Sequence, residues 1–549
     1  MRTLRKLLPL AAAAVVLGAA ACQDLDVTNP VDPDRARTVG QPASLEALVA
    51  STFSTWWEWV HDDSPVWAMS TMADEFTAAF FDFGILVASS EPRVAYNNSP
   101  LYSDAEVNAD PWYGLYGSLF GANDGLRAIA AGTTINTLGT SATAVRNGTD
   151  RARAMAKLMQ GLSHGYLALY FDRAYIVGES VQADTLLVPG GVGSLKIEPS
   201  PYRAVMDTAL AELADAARIA EDPASTFTLP GGSWLFQEMN DAYFGRLAHS
   251  YRARLLAQVA RTRAERDAVD WAAVVREVDA GITTDFAPVA VPGAFFDDFK
   301  RVAARATSAI PGNFARVDYM LVGPADSTDA FRSWLAAAPA ARTPFQLRTR
   351  DRRIQGAAGP TAPGKYIGYS TTNRYAASRG TYHQSRYFYR RVGTGESWQT
   401  GPQLELTRTE MDLLKAEALI RLGRAAEALP LINRTRVANG ELPPVTIEGP
   451  PDLAGCVPRK ASGGCGSLWD ALRYEKRIEG LGIHPPGAFL DARGWQTLPA
   501  GTPLHFPIPG RELQTVQSPL YTFGGRPGED GSAPAPNPER CPVALPRCA

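Results

Sequence analysis

Six histidines and five cysteines are the side chains of this 549-residue chain best suited to holding a metal or attacking a carbonyl. The histidines (61, 164, 249, 383, 484 and 505) are far apart in sequence, and none stands in an H-E-x-x-H helix. No G-x-S-x-G elbow exposes a serine, and no G-x-x-x-x-G-K-[ST] loop cradles a phosphate. Glycoside hydrolysis needs only two carboxylates, but among 57 acidic residues no pair stands out. The spacing therefore selects no catalytic set, no cofactor site and no metal site. What it does single out is one sulfur.

Cys22 closes the run Gly18-Ala19-Ala20-Ala21, behind a basic start (Arg2, Arg5, Lys6) and an apolar stretch from Leu7 to Leu17. Residues 1–21 read as a signal peptide, too short to persist as a membrane-spanning helix. The small residues before Cys22 resemble a bacterial lipobox, although Ala19 stands where leucine is commonest. The Cys22 thiol would be acylated, with palmitate as one of its chains, and become the new N-terminus. Each buried methylene contributes ~0.8 kcal/mol, so several acyl chains hold a soluble body on a membrane. Losing Arg2, Arg5 and Lys6 takes the formal charge from −3 to −6. Anionic lipid gains little from such a body, and the anchor must supply the attachment.

Cys456, Cys465, Cys541 and Cys548 remain, an even number for an oxidising compartment. Three pairings exist, and proximity favours Cys456 with Cys465 and Cys541 with Cys548. Neither spacing is C-x-x-C and no histidine lies close by, which argues against zinc. These would be local staples.

Aromatic residues crowd Trp56-Trp57-Glu58-Trp59, Trp67, Phe76, Phe80, Phe81 and Phe83. At about 100° per residue, a helix face that buries Trp56 leaves Trp57 and Trp59 pointing elsewhere. Flat rings flanked by Asp, Asn and Arg suit a sugar or a peptide side chain, or they fill a core.

The elements that must position these groups are mainly helical. Apolar residues make up 45% and charged residues 20%, a globular balance without the basic excess of a nucleic-acid binder. Mean hydropathy is −0.14, which excludes a polytopic membrane protein. A Pro- and Asp-rich tether spans 22–43, and a main domain spans 44–525. Apolar residues at helical spacing predict helices from Ser44 as N-cap, over Pro111–Ala131, Arg151–Phe171, Tyr202–Ile219 and Tyr243–Ala260, and from Asp270 as N-cap. Glu410–Asn439 reads as two helices joined at Gly423, with small facing residues like a tetratricopeptide hairpin. Irregular hairpins are expected over about 111–290 and 405–440. A loop-rich mixed face over about 287–400 carries short strands at 365–369 and 386–390. The cluster Arg348-Thr349-Arg350-Asp351-Arg352-Arg353 reads as a solvated or salt-bridged surface strand. Residues 526–549 form a Pro-rich tail with two cysteines.

Several segments in order resemble the SusD/RagB family of outer-membrane nutrient-binding lipoproteins. They are Asp24-Leu25-Asp26-Val27-Thr28-Asn29-Pro30, Asp74-Glu75-Phe76-Thr77, and Trp112-Tyr113-Gly114-Leu115-Tyr116 with Asn123 and Leu126. Further on come Glu405 to Arg421, Ile432-Asn433-x-x-Arg436-x-x-x-Gly440 and Tyr474-Glu475-Lys476-Arg477-Ile478-Glu479. Asp491-x-Arg493-Gly494-Trp495 and Phe506-Pro507-Ile508-Pro509-x-x-Glu512-Leu513 close the series. Gly482–Pro486 stands as an insertion, and Ser518-Pro519 replaces the family's closing Asn-Pro.

The resemblance implies a surface-exposed, non-catalytic binding protein, lipid-anchored in the outer membrane and facing the exterior. It would act as a lid on a SusC-like TonB-dependent transporter and capture oligosaccharide, or peptide as the second choice. The ligand contacts it implies are Trp67, Asn97, Asn98, Phe295, Phe296 and Tyr319. Two other readings stay open: a lipid-anchored hydrolase using a carboxylate pair, and a helical-repeat scaffold that binds only protein.

Overall fold

Pro42 sits in the first turn of a helix, where its missing N–H costs nothing, and the helix α1 runs Pro42–Val60. Leu45, Val49, Phe53, Trp56 and Val60 recur at helical spacing and are all buried. The computed structural model describes residues 40–61, 65–79, 84–181, 197–300, 315–371, 383, 385–391, 399–453, 455–525 and 535–536. Cys22, the signal peptide, nearly all of the tether, Phe80, Phe81, Phe83, Cys541 and Cys548 lie outside the described residues.

After α1 and the short α2 (Val66–Met72) come α3 (Glu106–Ala130), α4 (Ala142–Tyr170), α5 (Tyr202–Ala220), α6 (Asp241–Gln258) and α7 (Trp271–Ala280). The hairpin α8 (Arg408–Arg421) and α9 (Ala425–Ala438) follows, then α10 (Leu468–Gly480), α11 (Gly487–Trp495) and α12 (Gly510–Thr515). The long helices form a row. α1 packs on α3, α3 on α4, α4 on α5, α5 on α6, α6 on α7, α7 on α8, and α8 on α9 and α10. Glycines set how near they come. A Cβ on Gly161 of α4 would stand 2.5 Å from Leu213 Cγ on α5, and one on Gly165 2.6 Å from Leu255 Cδ1 on α6. Gly423 takes φ +76° between α8 and α9, the left-handed position that glycine reaches most cheaply.

Strands are short and paired two by two. β1 (Phe76–Ala78) runs antiparallel to β3 (Ala315–Val317), with Phe76 opposite Val317. β2 (Val289–Ala290) pairs with β6 (Gly401–Pro402), and β4 (Ile367–Tyr369) with β5 (Tyr387–Tyr389). Two cores result. The helices bury Leu162, Tyr166, Leu213 and Leu247 in the larger one, and the strands gather Trp67, Phe76, Phe299, Tyr319 and Tyr389 in the second.

The mainly α body with a mixed, loop-rich face is as expected, and helix ends differ by local chemistry. α1 starts at Pro42 rather than after Ser44, because proline is preset for the first turn. α3 starts at Glu106 and carries Pro111 inside it, so the proline did not mark the start. α4 begins at Ala142, about two and a half turns before Arg151, where Ser141 accepts the Ala144 N–H. Asp270 caps α7 as its side chain implies, accepting from the Ala273 N–H. Trp57 is buried together with Trp56, since α1 is covered by the 295–299 segment as well as by helices. The arginine cluster is salt-bridged as expected, but it is no strand, and only Arg348 and Arg350 are exposed. Asp351 and Arg353 are fully buried, because Glu475 and Glu479 of α10 meet the Arg353 guanidinium at 2.5 and 2.9 Å.

Candidate functional site

Four of the six residues implicated in ligand contact are occupied by the protein itself. Trp67, on α2, stacks on Phe299 at 4.2 Å between centroids and is 1% exposed. Tyr319 stacks on Phe345 at 4.3 Å, and its hydroxyl donates to the Phe345 carbonyl at 2.8 Å. Both rings are core residues, because β1 and β3 bring their segments together beneath β4 and β5. Asn98 is a buried latch. Its amide donates to the carbonyls of Ile508 at 2.9 Å and Tyr521 at 3.0 Å, and its oxygen accepts from Gly510 N–H at 2.9 Å. A buried amide that satisfies three backbone groups is committed to the fold. Its half-buried neighbour Asn97 accepts the Ser99 N–H at 3.0 Å in a local turn.

Phe295 is also buried, but at an edge. It stacks on the half-buried Phe236 at 3.7 Å and 6° from parallel, and packs on Trp57 at 4.9 Å. Phe296, next in the chain, is half-buried, and its carbonyl accepts the Trp57 indole N–H at 2.9 Å. The hairpin leading in exposes Val289 by 49% and Val291 by 41%. Val289 N–H donates to the Phe236 carbonyl at 2.7 Å, so the half-buried Phe236 and the partly exposed hairpin lie together around Phe295, with the half-buried Phe296 next in the chain. Aromatic rings match the C–H face of a sugar.

A buried ionic frame holds that edge in place. His61, at the end of α1, bridges Asp297 and Glu405, each at 2.9 Å. Lys300 reaches Asp297 at 2.7 Å, and Arg254 of α6 reaches Glu405 at 2.6 Å. Burial alone would lower the His61 value, but Asp297 and Glu405 outweigh it and raise it. Burial likewise opposes ionisation of Asp297 and Glu405. Lys300 and His61 hold Asp297 below its ordinary value, and Arg254 and His61 hold Glu405 well below. The charges are paired and hydrogen-bonded, the condition under which buried ions persist.

One group among the described residues has metal-ligand geometry. Ligand atoms of Asp74, Asp318 and His383 lie within 4.8 Å of one another. His383 Nδ1 donates to Asp318 at 2.6 Å and Nε2 faces Glu91. Burial opposes the charge, yet Asp318 and Glu91 hold His383 up to about 10. An imidazolium with both nitrogens donating has no lone pair for a metal, so at neutral pH this is an ion-pair cluster.

Several of the segments that carry the resemblance are cross-ties between elements. The Tyr116 hydroxyl donates to the Tyr175 carbonyl at 3.0 Å, and the Asn123 amide donates to the Val177 carbonyl at 2.8 Å. Asn433 exchanges two hydrogen bonds with the Val445 backbone. Glu475 joins Arg353 and Arg436, and Arg477 donates to the carbonyls of Ala73 and Asp74. Arg493 donates to the carbonyls of Leu169, Leu504 and Gln258. Cys456 and Cys465 are bonded, their Cα atoms 5.7 Å apart, in the loop before α10. Sequence reasoning did not single out Phe236, which stands two residues after Trp234 in the turn-rich stretch 230–238.

No protein-family profile matches the sequence, and no curated protein matches it. Solved structures do. A SusD superfamily protein from Bacteroides thetaiotaomicron superposes with a TM-score of 0.54 at 14% identity, covering 87% of this chain and 97% of its own. One from Bacteroides vulgatus gives 0.53 at 13% identity, covering 86% and 97%. One from Bacteroides fragilis gives 0.52 at 13%, covering 87% and 98%. At this identity the likeness is one of architecture, spread over nearly the whole of each partner. This chain has a SusD-like fold.

Proposed function

We propose that this protein captures an extracellular nutrient, an oligosaccharide in preference to a peptide, and does not transform it. The observation that carries the reading is the SusD-like architecture across 87% of the chain. It is supported by the N-terminal residues, which read as an export signal ending in an acylated Cys22. Among the described residues no helix is long and apolar enough to cross a membrane. A lipid on Cys22 supplies the anchor in this reading, in the outer membrane with the body toward the exterior. The ligand lies on the edge of Phe236 and Phe296, its ring faces on the aromatics. The body then delivers it to a SusC-like TonB-dependent barrel, against which a broad helical surface can seat.

Gentle detergent extraction of outer membranes tests the assembly. The protein should co-purify with a large barrel, and Cys22→Ser should shift it to the soluble fraction. Recovery as a free monomer, or a Cys22→Ser variant still acylated and membrane-bound, overturns the reading.

A further inference from the structure

Around the Cys456–Cys465 loop the surface of an acidic protein gathers cations. Residues 347–350 alternate, with Leu347 and Thr349 buried and Arg348 and Arg350 exposed. In an extended stretch side chains two apart share a face, about 7 Å from each other. Arg348 is fastened to the turn at 326–329. Its N–H donates to Asp326 Oδ1 at 3.3 Å, and its carbonyl accepts the Ser327 N–H at 2.8 Å and hydroxyl at 2.9 Å. Arg459 of the disulfide loop reaches the same turn, donating to the Asp326 carbonyl at 3.4 Å and pairing with Asp329 at 2.9 Å. Arg332 shares Asp329, at 3.2 Å. A Cβ on Gly463 would stand 3.0 Å from Arg332 Nη1, and one on Gly455 3.8 Å from Arg350 Nε, so both ends of the loop touch this face. Lys460, next to Arg459, is exposed.

The charge is not cancelled locally. Asp326 is buried, and its carboxylate is taken up by the N–H groups of Thr328, Phe331 and Arg348. Asp329 serves two arginines, and the exposed Asp452 lies beside Cys465, 3.6 Å from its sulfur. Arg348, Arg350 and Lys460 form no ion pair among the described residues.

We propose that this face binds an acidic polysaccharide, its carboxylates held by Arg348, Arg350, Arg459 and Lys460. A planar guanidinium takes a carboxylate through two parallel N–H bonds, and charges repeated along a glycan match cations spread along a surface. The choice of a glycan among polyanions rests on the capture reading, but the residues are other than Phe236 and Phe296. Single-stranded nucleic acid binds where its bases find exposed rings, and the nearby Phe331 and Trp334 are only 8% and 5% exposed. An anionic bilayer is a plane that would also meet the rest of a body whose formal charge is −6 once residues 1–21 are lost.

The test is calorimetric titration of the mature protein at pH 7 with polygalacturonate, neutral dextran, single-stranded DNA and vesicles rich in phosphatidylglycerol. Polygalacturonate should bind, more weakly as salt rises, and dextran should not displace it. Arg348→Ser with Arg350→Ser, confirmed as folded by thermal unfolding, should weaken it about three- to tenfold. Arg218→Ser with Arg263→Ser removes two other exposed cations and should leave binding as in the parent. Phe236→Ala with Phe296→Ala should also leave it in place, so that failure of the capture edge and failure of this face are read separately. The proposal is overturned if polygalacturonate does not bind, if DNA or the vesicles bind more tightly, if the Arg348–Arg350 pair changes nothing, or if either of the other pairs weakens binding as much.

Discussion

Trp57 lies flat on His61, ring centroids 3.8 Å apart and 11° from parallel, while its indole N–H reaches the Phe296 carbonyl. One side chain thus couples the buried ion frame to the apolar-aromatic edge. A protonated imidazole on an indole face adds a cation–π attraction to the two carboxylate bonds. Replacing His61 leaves Asp297 and Glu405 facing each other with one cation fewer. His61→Leu should destabilise the protein by about 3–5 kcal/mol in urea unfolding at pH 7. A loss under ~1 kcal/mol would show that the frame relaxes without its bridge.

His383 makes stability depend on alkali. Its value is raised in the folded state to about 10. The stabilisation is therefore full below the unfolded value of about 6.5 and fades as pH rises toward 10. Stability should fall by on the order of a few kcal/mol between pH 6.5 and 10, and His383→Gln should flatten that slope. Equal slopes in the two proteins would place the proton elsewhere.

Asn98 separates a structural role from a binding one. Asn98→Ala removes the partners of the Ile508 and Tyr521 carbonyls and the Gly510 N–H, and should cost about 2–4 kcal/mol. Ligand affinity of the folded variant should be unchanged. A large loss of affinity at intact stability would return Asn98 to the ligand.

Much of the fold was legible because its helices carry their own local marks. Asp270 as a cap, Gly423 at positive φ and the apolar stripe of α1 each act within a turn of chain. The strand pair at 367–369 and 387–389 was also legible, from alternation. What was not legible is long-range. Nothing near Trp67 says that Phe299 will cover it, and nothing near Arg353 says that α10 will bring Glu475 and Glu479. The resemblance placed ligand contacts at Trp67 and Tyr319 because exposed and core aromatics look alike in sequence. Phe295 and Phe296 follow a hairpin whose Val289 and Val291 are exposed.

The Cys456–Cys465 bond closes a loop of nine residues' separation before α10. Closing so short a loop stabilises by about 2–3 kcal/mol through the unfolded chain. Cys456→Ser with Cys465→Ser should lower the thermal midpoint accordingly, and reduction of the parent should match it. No shift in either case would mean that the surrounding contacts alone fix the loop.

The central claim is capture without conversion at the Phe236–Phe296 edge. It is tested most directly by titrating the mature protein with a panel of oligosaccharides and analysing the same samples for products. The account predicts saturable binding of at least one oligosaccharide, recovered intact, with affinity about tenfold or more lower in the folded double variant Phe236→Ala, Phe296→Ala. Released products, or binding that the double variant leaves unchanged, would contradict it.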